Sequence, residues 1–357
     1  MDKFRSTYLF HFKCVLIVCF TFRSIFAASP APARDALCDS TYQTLFANPA
    51  IEIVMVFGYK DSRPSRFVGD RHERVFFTQE VTAPCLLSSQ ACGFMRDAAD
   101  SDHFTKTINS PTGKPVLVHL RVLNSSVSAD DEHNQKDRFQ KWQSQRVNSE
   151  FRRSLQKADI VFYNGHSRNG GGPDFFPPRL TADGHIDYTY YERETPGLKE
   201  ITDTLKKTTA FRASQSHQTS TVSNPTPEEP AKDSDADLDR KSQDKEEPLS
   251  PEESRAPNSV KSTADSVENE KLKLLGLFSC ASTKHFRDKI KEARPDLALI
   301  TSQQLIYYVD ALKNSLAALE ALLTYQCEKD FRRALRSSSY QLGSQLSDFY
   351  VRRKSQK

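Results

Sequence analysis

The chain has 357 residues, of which 37% are hydrophobic and 27% are charged, so it is long enough for one large α/β domain or two small ones. Its formal net charge is +4 at pH 7. Residues 1–29 hold four basic side chains and one acidic side chain, so the remainder carries +1, since 4 − 3 = 1. A nearly neutral chain gives no electrostatic reason to expect nucleic-acid binding.

The first 29 residues have the layout of a secretory signal peptide. A basic leader, MDKFRSTYLFHFK, precedes the apolar run CVLIVCFTF, and the small residues of SIFAASPAPA follow. The apolar run has nine residues and is too short to span a bilayer. The sequence therefore predicts a secreted or periplasmic protein with no stable membrane insertion after signal removal, and a retained membrane anchor is the alternative.

Five of the seven cysteines lie beyond the predicted signal peptide: Cys38, Cys85, Cys92, Cys280 and Cys327. In an oxidising compartment this odd number predicts one free thiol, and the other four cysteines can pair in three ways. The short spacing of Cys85 and Cys92 favours a bridge between them. The number of cysteines alone does not determine which of the five thiols stays free.

Apolar runs and helical periodicity alternate along the chain. In chain order, the predicted elements are strands at 51–60 and 115–123, a helix at 137–158, a strand ending at His166, a helix at 197–211, a strand at 271–280, a helix from an N-cap at Ser282 to Pro295, a strand at 296–302, a helix at 304–325, and one or two more helices in 327–351.

Residues 213–266 differ in composition from the rest of the chain. They contain no aromatic residue, six prolines, and 12 acidic against 6 basic residues. Such a segment buries too little apolar surface to offset the entropy lost on ordering. It is predicted to be a disordered acidic insert.

The alternation of strand and helix, with strands apolar on both faces, favours an α/β fold with a mainly parallel sheet flanked by helices. Function in such sheets gathers at the carboxyl ends of the strands. His166 ends one predicted strand in DIVFYNGH, and Cys280 ends another in KLKLLGLFSC. A cysteine nucleophile needs a partner that donates a proton to the leaving group, and histidine suits that task.

These two motifs resemble those of caspase-like cysteine peptidases, the group that includes caspases, gingipains, clostripain, legumain and separase. IVFYNGHS stands where the family has an apolar run followed by His-Gly, and LKLLGLFSCAS stands where it has the apolar run ending in the nucleophile. The signal peptide and long extra segments are more similar to the bacterial secreted branch. The resemblance covers roughly 51–325. It implies a caspase-like three-layer sandwich with strand order 2-1-3-4, His166 on the third strand and Cys280 on the fourth.

The sequence features and the resemblance together predict a domain organisation. The predicted parts are a signal peptide (1–29), a first part of the caspase-like domain with the histidine strand (30–212), the disordered acidic insert (213–266), a second part with the cysteine strand (267–326) and a C-terminal helical extension (327–357).

By the same resemblance, His166 and Cys280 are the catalytic residues, and the backbone amides of Ser167 and Cys280 form the oxyanion hole. The family usually has glycine where this chain has Ser167, which is acceptable if the backbone angles there suit serine. Gly165 is predicted to let the chain turn sharply at the histidine. The loop that follows His166 is predicted to be mobile and to border the cleft. Its predicted cleft residues are Asn169, Gly170, Gly171 and Gly172.

The predicted function is that of a cysteine endopeptidase which cuts a protein or peptide substrate through a thioester, with no cofactor and no metal. The alternative is a catalytically inactive caspase-like binding or scaffold protein. An α/β hydrolase is disfavoured because the chain has no Gly-x-Ser-x-Gly motif. A zinc site at His166, Asp183 and His185 is disfavoured by its spacing.

Two further expectations concern the substrate and activation. Acidic residues at positions 174, 183 and 187 suggest a pocket wall that favours Arg or Lys before the cut bond. Self-processing within 213–266, which contains basic sites such as Arg240 and Arg255, is a hypothesis about activation. A tolerated surface insertion is its alternative.

Overall fold

The structure is a computed structural model, which describes residues 35–60, 69–86, 88–218, 271–339 and 344–350. For residues 209–218 it describes the backbone alone. The predicted signal peptide and residues 219–266 of the predicted insert lie outside these ranges.

The described part of the chain contains one sheet of eight strands, in the order β2-β3-β4-β1-β5-β6-β7-β8. The five central strands, β4, β1, β5, β6 and β7, are parallel, whereas β2, β3 and β8 are antiparallel strands at the two edges. The strands are β1 (Ala50–Phe57), β2 (Met95–Arg96), β3 (His103–Asn109), β4 (Pro115–Asn124), β5 (Ile160–Asn164), β6 (Leu274–Phe278), β7 (Ala298–Ser302) and β8 (Ser344–Ser347).

Helices cover both faces of this sheet. The α-helices are α1 (Ala36–Leu45), α2 (Asp70–Thr82), α3 (Asp131–Lys136), α4 (Gln140–Lys157), α5 (Tyr188–Glu194), α6 (Pro196–Gln218), α7 (Asp288–Ala293), α8 (Tyr308–Leu323) and α9 (Glu328–Ser337). Apolar side chains of α1, α2, α8 and α9 pack on one face, and those of α4, α6 and α7 pack on the other. In the described ranges, no helix is both long and apolar enough to cross a membrane.

The core strands are buried on both faces because successive side chains point to opposite sides of a strand. In β5, Ile160 and Phe162 join the core under α1, α2, α8 and α9, whereas Val161 and Tyr163 join the core under α4, α6 and α7. All five residues of β5, of β6 and of β7 are buried. Such strands appear in sequence as continuous apolar runs, which is why they were predictable.

The main fold prediction is confirmed at the level of a mainly parallel sheet between two helical layers. The order of the first four predicted strands is also confirmed, since 115–123, 51–60, the histidine strand and the cysteine strand correspond to β4, β1, β5 and β6.

Three local predictions need correction. The C-terminal extension is not wholly helical, because α9 is followed by β8, which pairs with β7. Helix α6 continues to Gln218, six residues into the segment predicted to be disordered from residue 213. Ser282 occupies the predicted N-cap position, before the helical turn Thr283–Arg287, but its side chain makes no capping bond. Its hydroxyl donates instead to the carbonyl of Leu277 and accepts from the amide of Ser302.

The chain has two disulfides among the described residues. Cys85 pairs with Cys92, as predicted from their spacing, and Cys38 in α1 pairs with Cys327 at the start of α9. Cys280 is the free cysteine of the described residues and is half-buried. The prediction of one unpaired thiol is confirmed, and the thiol is the one on the predicted cysteine strand.

Candidate functional site

The register of β5 and β6 brings the two predicted catalytic residues to one edge of the sheet. The strands are parallel neighbours, and Asn164 pairs with Phe278 at their carboxyl ends. His166 and Cys280 each follow two residues later in the sequence. Because neighbouring strands lie about 4.8 Å apart, the two residues leave the sheet side by side.

The histidine loop is held against the end of β5 by Tyr163. The hydroxyl of Tyr163 donates to the carbonyl oxygen of His166 at 3.0 Å and accepts from the amide of Asp174 at 2.9 Å. A Cβ on Gly165 would lie 2.2 Å from that hydroxyl oxygen. Gly165 is therefore needed for this close approach, and the chain bends at this residue, as predicted.

A buried ion pair fixes the rest of the loop. The guanidinium of Arg168 donates to the carboxylate of Asp174 at 2.9 Å, and both side chains are almost completely buried. Arg168 and Asn169 have φ angles of 45° and 52°. A left-handed conformation costs a non-glycine residue roughly 1–2 kcal/mol, so the packed surroundings impose this shape.

The loop after β6 reverses directly after the cysteine. Ala281 has a φ of 47°, and its amide donates to the carbonyl of Gln304 at 2.8 Å. The thiol of Cys280 donates to the carbonyl of Ile306 at 3.5 Å. Both bonds tie the cysteine loop to the segment that follows β7. Strained non-glycine residues thus occur in the loops of both predicted catalytic residues, as is common at functional sites.

The two loops contact each other. His285, five residues after Cys280, lies against the histidine loop, with its Nδ1 atom 3.4 Å from where a Cβ of Gly170 would be. Burial lowers the pKa of His285, and nearby Lys284 lowers it further, whereas Glu192 raises it. The structure makes His285 a second half-buried imidazole beside the candidate site.

The amides predicted to form the oxyanion hole are available. Ser167 has φ −81° and ψ −19°, an ordinary conformation for serine, so the residue type does not disturb the backbone here. Among the described residues, the amides of Ser167 and Cys280 donate to no acceptor.

Two buried polar atoms at the strand ends also have no hydrogen-bond partner among the described residues. They are Nδ2 of Asn164 and Oγ of Ser279, and both residues are fully buried. Buried polar groups are nearly always satisfied, by protein atoms or by ordered water. Asn164 is the last residue of β5, and Ser279 is the residue before Cys280.

A polar network behind the site was missed by sequence reasoning. The ammonium of Lys60, just after β1, donates to Oδ1 of Asn164 at 2.9 Å and to the carboxylate of Glu73 in α2. Burial raises the pKa of Glu73 to about 7, although Lys60 opposes the rise. Lys60 follows an apolar run, as His166 does, so a search for polar residues at strand ends would have found it.

An exposed apolar segment lies beside the cysteine. The segment that contacts Cys280 and Ala281 carries Leu305 and Tyr307, which are 71% and 66% exposed, and α8 begins with the partly exposed Tyr308 and Val309. These four residues, 305 and 307–309, are called the apolar segment below. It is an exposed apolar surface next to the Cys280 thiol.

The glycine loop is packed against the elements around it. Gly170, Gly171 and Gly172 are buried, and only Asn169 is exposed, donating to Glu192 at 2.9 Å. A Cβ on Gly171 would lie 2.6 Å from Tyr191. The loop borders the site as a packed element, because its glycines allow close contact with α5.

The predicted acidic pocket wall is not formed as expected. Asp174 is paired with Arg168, and Asp187 accepts from the amide of Tyr190 and pairs with Arg179. Asp183 is exposed and lies near His185 at the surface. Within the described ranges, no three side chains of the metal-binding types converge on one point.

No family model, no curated protein and no solved structure matches this chain.

Proposed function

We propose that the chain is a secreted or periplasmic cysteine endopeptidase of caspase-like fold, in which His166 and Cys280 act as a dyad. The proposal rests on one observation. An unpaired thiol and an imidazole each lie two residues beyond the paired ends of two adjacent parallel strands. The helix–sheet–helix layers and the order of β4, β1, β5 and β6 are compatible with it. The two disulfides support an oxidising compartment.

The proposed reaction begins with attack of the Cys280 thiolate on the carbonyl carbon of a peptide bond. The amides of Ser167 and Cys280 stabilise the resulting oxyanion. His166, protonated by the thiol, donates that proton to the leaving amine as the C–N bond breaks, which leaves a thioester. Water then attacks the thioester with His166 as base, and the thiol is regenerated.

The apolar segment next to Cys280 suggests a preference for substrates with apolar side chains near the cut bond. When a ligand covers exposed apolar side chains, apolar surface is removed from water, and this stabilises the complex. Asp174 is buried and paired with Arg168, so it does not support a preference for Arg or Lys before the cut bond.

Alkylation by iodoacetamide, followed by peptide mapping, tests the dyad. Cys280 should react quickly at neutral pH, and His166→Ala should slow that reaction at least tenfold because the thiolate loses its partner. His185→Ala, which changes an exposed histidine, is the matched control and should react like the wild type. Cleavage of a peptide library should be lost in Cys280→Ala.

An unreactive Cys280 in a folded protein, or cleavage that persists in Cys280→Ala, would overturn the proposal. A thiol that reacts at the same rate with and without His166, in a protein that cuts no peptide, would favour the binding or scaffold alternative.

Self-processing within 213–266 remains part of the proposal. The pairing of β5 with β6 and the packing of α6 on α7 hold the two flanking parts together. The Cys38–Cys327 disulfide also links them covalently. A processed protein should therefore run as one band on a non-reducing gel and as two bands after reduction. A single band under both conditions, in a fully active protein, would reject processing.

A further inference from the structure

The two disulfides of the described residues lie in different surroundings. Cys38 of the Cys38–Cys327 bridge is almost completely buried, and no described lysine or arginine donates to a sulfur of this bridge. In the Cys85–Cys92 bridge, Cys92 is buried but Cys85 is exposed. Gly93 leaves this side open, because a Cβ there would lie 3.1 Å from Sγ of Cys85. Exposed disulfides are the ones that exchange readily with thiols, since an attacking thiolate must reach a sulfur atom.

A lysine ammonium lies against the exposed sulfur. Nζ of Lys106, in β3, donates to Sγ of Cys85 at 3.5 Å. It also donates to the carbonyls of Gln90 and Cys92, at 2.8 and 2.9 Å. Among the described residues, no carboxylate forms an ion pair with this ammonium. Burial lowers the pKa of Lys106, whereas the carboxylate of Glu320 raises it. A thiolate on Cys85 would give the ammonium a counterion in direct contact.

The loop between the two cysteines is also held by bonds that do not involve sulfur. The carboxylate of Glu320, in α8, accepts from the hydroxyl of Ser89 at 2.9 Å. It also accepts from the amides of Gln90 and Ala91, at 2.8 and 2.6 Å. These bonds persist when the disulfide opens, so they keep the two thiols close enough to pair again. The three donors also share the negative charge of Glu320 and so weaken its repulsion of a thiolate on Cys85.

We propose that Cys85 and Cys92 form a reversible redox pair that exchanges with low-molecular-weight thiols, with Cys85 as the reactive sulfur and the Lys106 ammonium as the group that stabilises its thiolate. The thiolate of a small thiol attacks Sγ of Cys85. The S–S bond breaks, and Cys92 leaves with the electron pair and takes up a proton. This step leaves a mixed disulfide between Cys85 and the small thiol.

A second small thiolate attacks the outer sulfur of the mixed disulfide, and Cys85 leaves as a thiolate beside Lys106. The protein disulfide has then gained two electrons, and two small thiols have been oxidised to one disulfide. The ammonium assists this step because a stabilised thiolate is a better leaving group. The same reactions in reverse close the bridge again. Neither His166 nor Cys280 takes part, so this activity does not depend on the proposed peptidase.

Reduced glutathione, added to the full chain in the absence of oxygen, is the probe thiol. Acid quenching, alkylation with N-ethylmaleimide and peptide mapping identify the opened sulfurs and the one that carries glutathione. The Cys85–Cys92 bridge should open roughly tenfold or more faster than Cys38–Cys327. Glutathione should appear first on Cys85, and oxidised glutathione should afterwards restore the same bridge. This comparison within one protein needs no variant.

Two lysine variants test the role of the charge. Lys106→Met removes the ammonium, so complete reduction of the Cys85–Cys92 bridge should become several-fold slower. If Lys106 served only to hold the loop, the same variant would loosen the loop and speed up its reduction. Lys114→Met, which changes an exposed lysine in the turn between β3 and β4, is the matched control and should react like the wild type.

The proposal is overturned if both bridges open at the same rate, or if glutathione appears first on Cys92. Reduction of Lys106→Met at the wild-type rate or faster would also overturn it. Cys280→Ala should be reduced at the wild-type rate. A slower rate in that variant would mean that exchange begins at the free thiol of Cys280, and would reject Cys85 as the reactive sulfur. None of these measurements uses peptide cleavage, so their outcome is separate from that of the proposed peptidase.

Discussion

The hydroxyl of Tyr163 donates a 3.0 Å hydrogen bond to the carbonyl oxygen of His166. The donor is a residue of β5 itself, fully buried in the core under α4 and α6. The position of the candidate catalytic histidine therefore depends directly on core packing. Disturbing that packing should affect the site even though Tyr163 lies outside the cleft.

Tyr163→Phe is the first prediction. It removes the donor to His166 and leaves the amide of Asp174 without its acceptor, so the free energy of unfolding should fall by about 1–3 kcal/mol. Alkylation of Cys280 should also slow, because the imidazole loses its support. Urea unfolding and the alkylation rate are the measurements.

Tyr188→Phe serves as the control for that prediction. Tyr188 is 44% exposed, so its loss of a hydroxyl should change stability by less than about 0.5 kcal/mol. Equal stability of Tyr163→Phe and the wild type would show that the hydrogen bond contributes nothing to the loop.

The Arg168–Asp174 pair gives a second prediction. Arg168→Met leaves a buried carboxylate without its cation, which should cost about 3–5 kcal/mol of stability. Adding Asp174→Asn should restore part of that loss, because the unpaired charge is then absent. Arg193→Met removes an exposed arginine paired with Glu194 and should have little effect. If the double variant Arg168→Met/Asp174→Asn is no more stable than Arg168→Met, the unpaired carboxylate is not the cause of the lost stability.

The parts of the sheet that could be predicted are those in which burial dominates. The strands β5, β6 and β7 are buried on both faces and appear as apolar runs. The edge strands lack that signal. In β3 only Phe104 and Ile108 are buried, and β8 is the polar stretch SQLS, so their strand structure depends on pairing with neighbours distant in sequence.

The site shows the same division. The positions of His166 and Cys280 beyond adjoining strand ends could be predicted, because each ends an apolar run and the register of parallel strands brings such ends together. The partners of Lys60 and Arg168 could not, because these pairs depend on how loops fold over the strand ends. Periodicity contains no information about such contacts.

The disulfides give a third prediction, which compares two double variants. Cys38 and Cys327 are 289 residues apart, whereas Cys85 and Cys92 are seven apart. A cross-link that closes a longer loop removes more entropy from the unfolded chain. Replacing Cys38 and Cys327 with serine should cost about 2–5 kcal/mol, and more than replacing Cys85 and Cys92.

Urea unfolding of the two double variants under the same conditions checks the order of the losses. Reduction of the wild type should approach the loss of the two variants combined. A larger loss from the short loop would mean that local packing, rather than chain entropy, determines the contribution of these bridges.

Glu73 gives a fourth prediction, on pH. Burial raises its folded pKa to about 7, above the unfolded value of 4.5. The folded protein therefore keeps a proton that the unfolded chain releases between these values, so the contribution of Glu73 is complete below pH 4.5 and is lost as the pH rises towards 7. The stability lost over this window should be about 3 kcal/mol.

The substitution Glu73→Gln isolates this effect, because the amide oxygen of the new side chain can still accept from Lys60 but the side chain cannot titrate. Subtracting the unfolding free energies of Glu73→Gln from those of the wild type across the window should reveal the fall assigned to Glu73. Glu132→Gln changes an exposed carboxylate paired with Lys136 and should leave the pH profile unchanged. A flat difference curve for Glu73→Gln would mean that Lys60 keeps the carboxylate ionised at all these pH values, so that the ion pair outweighs the cost of burial.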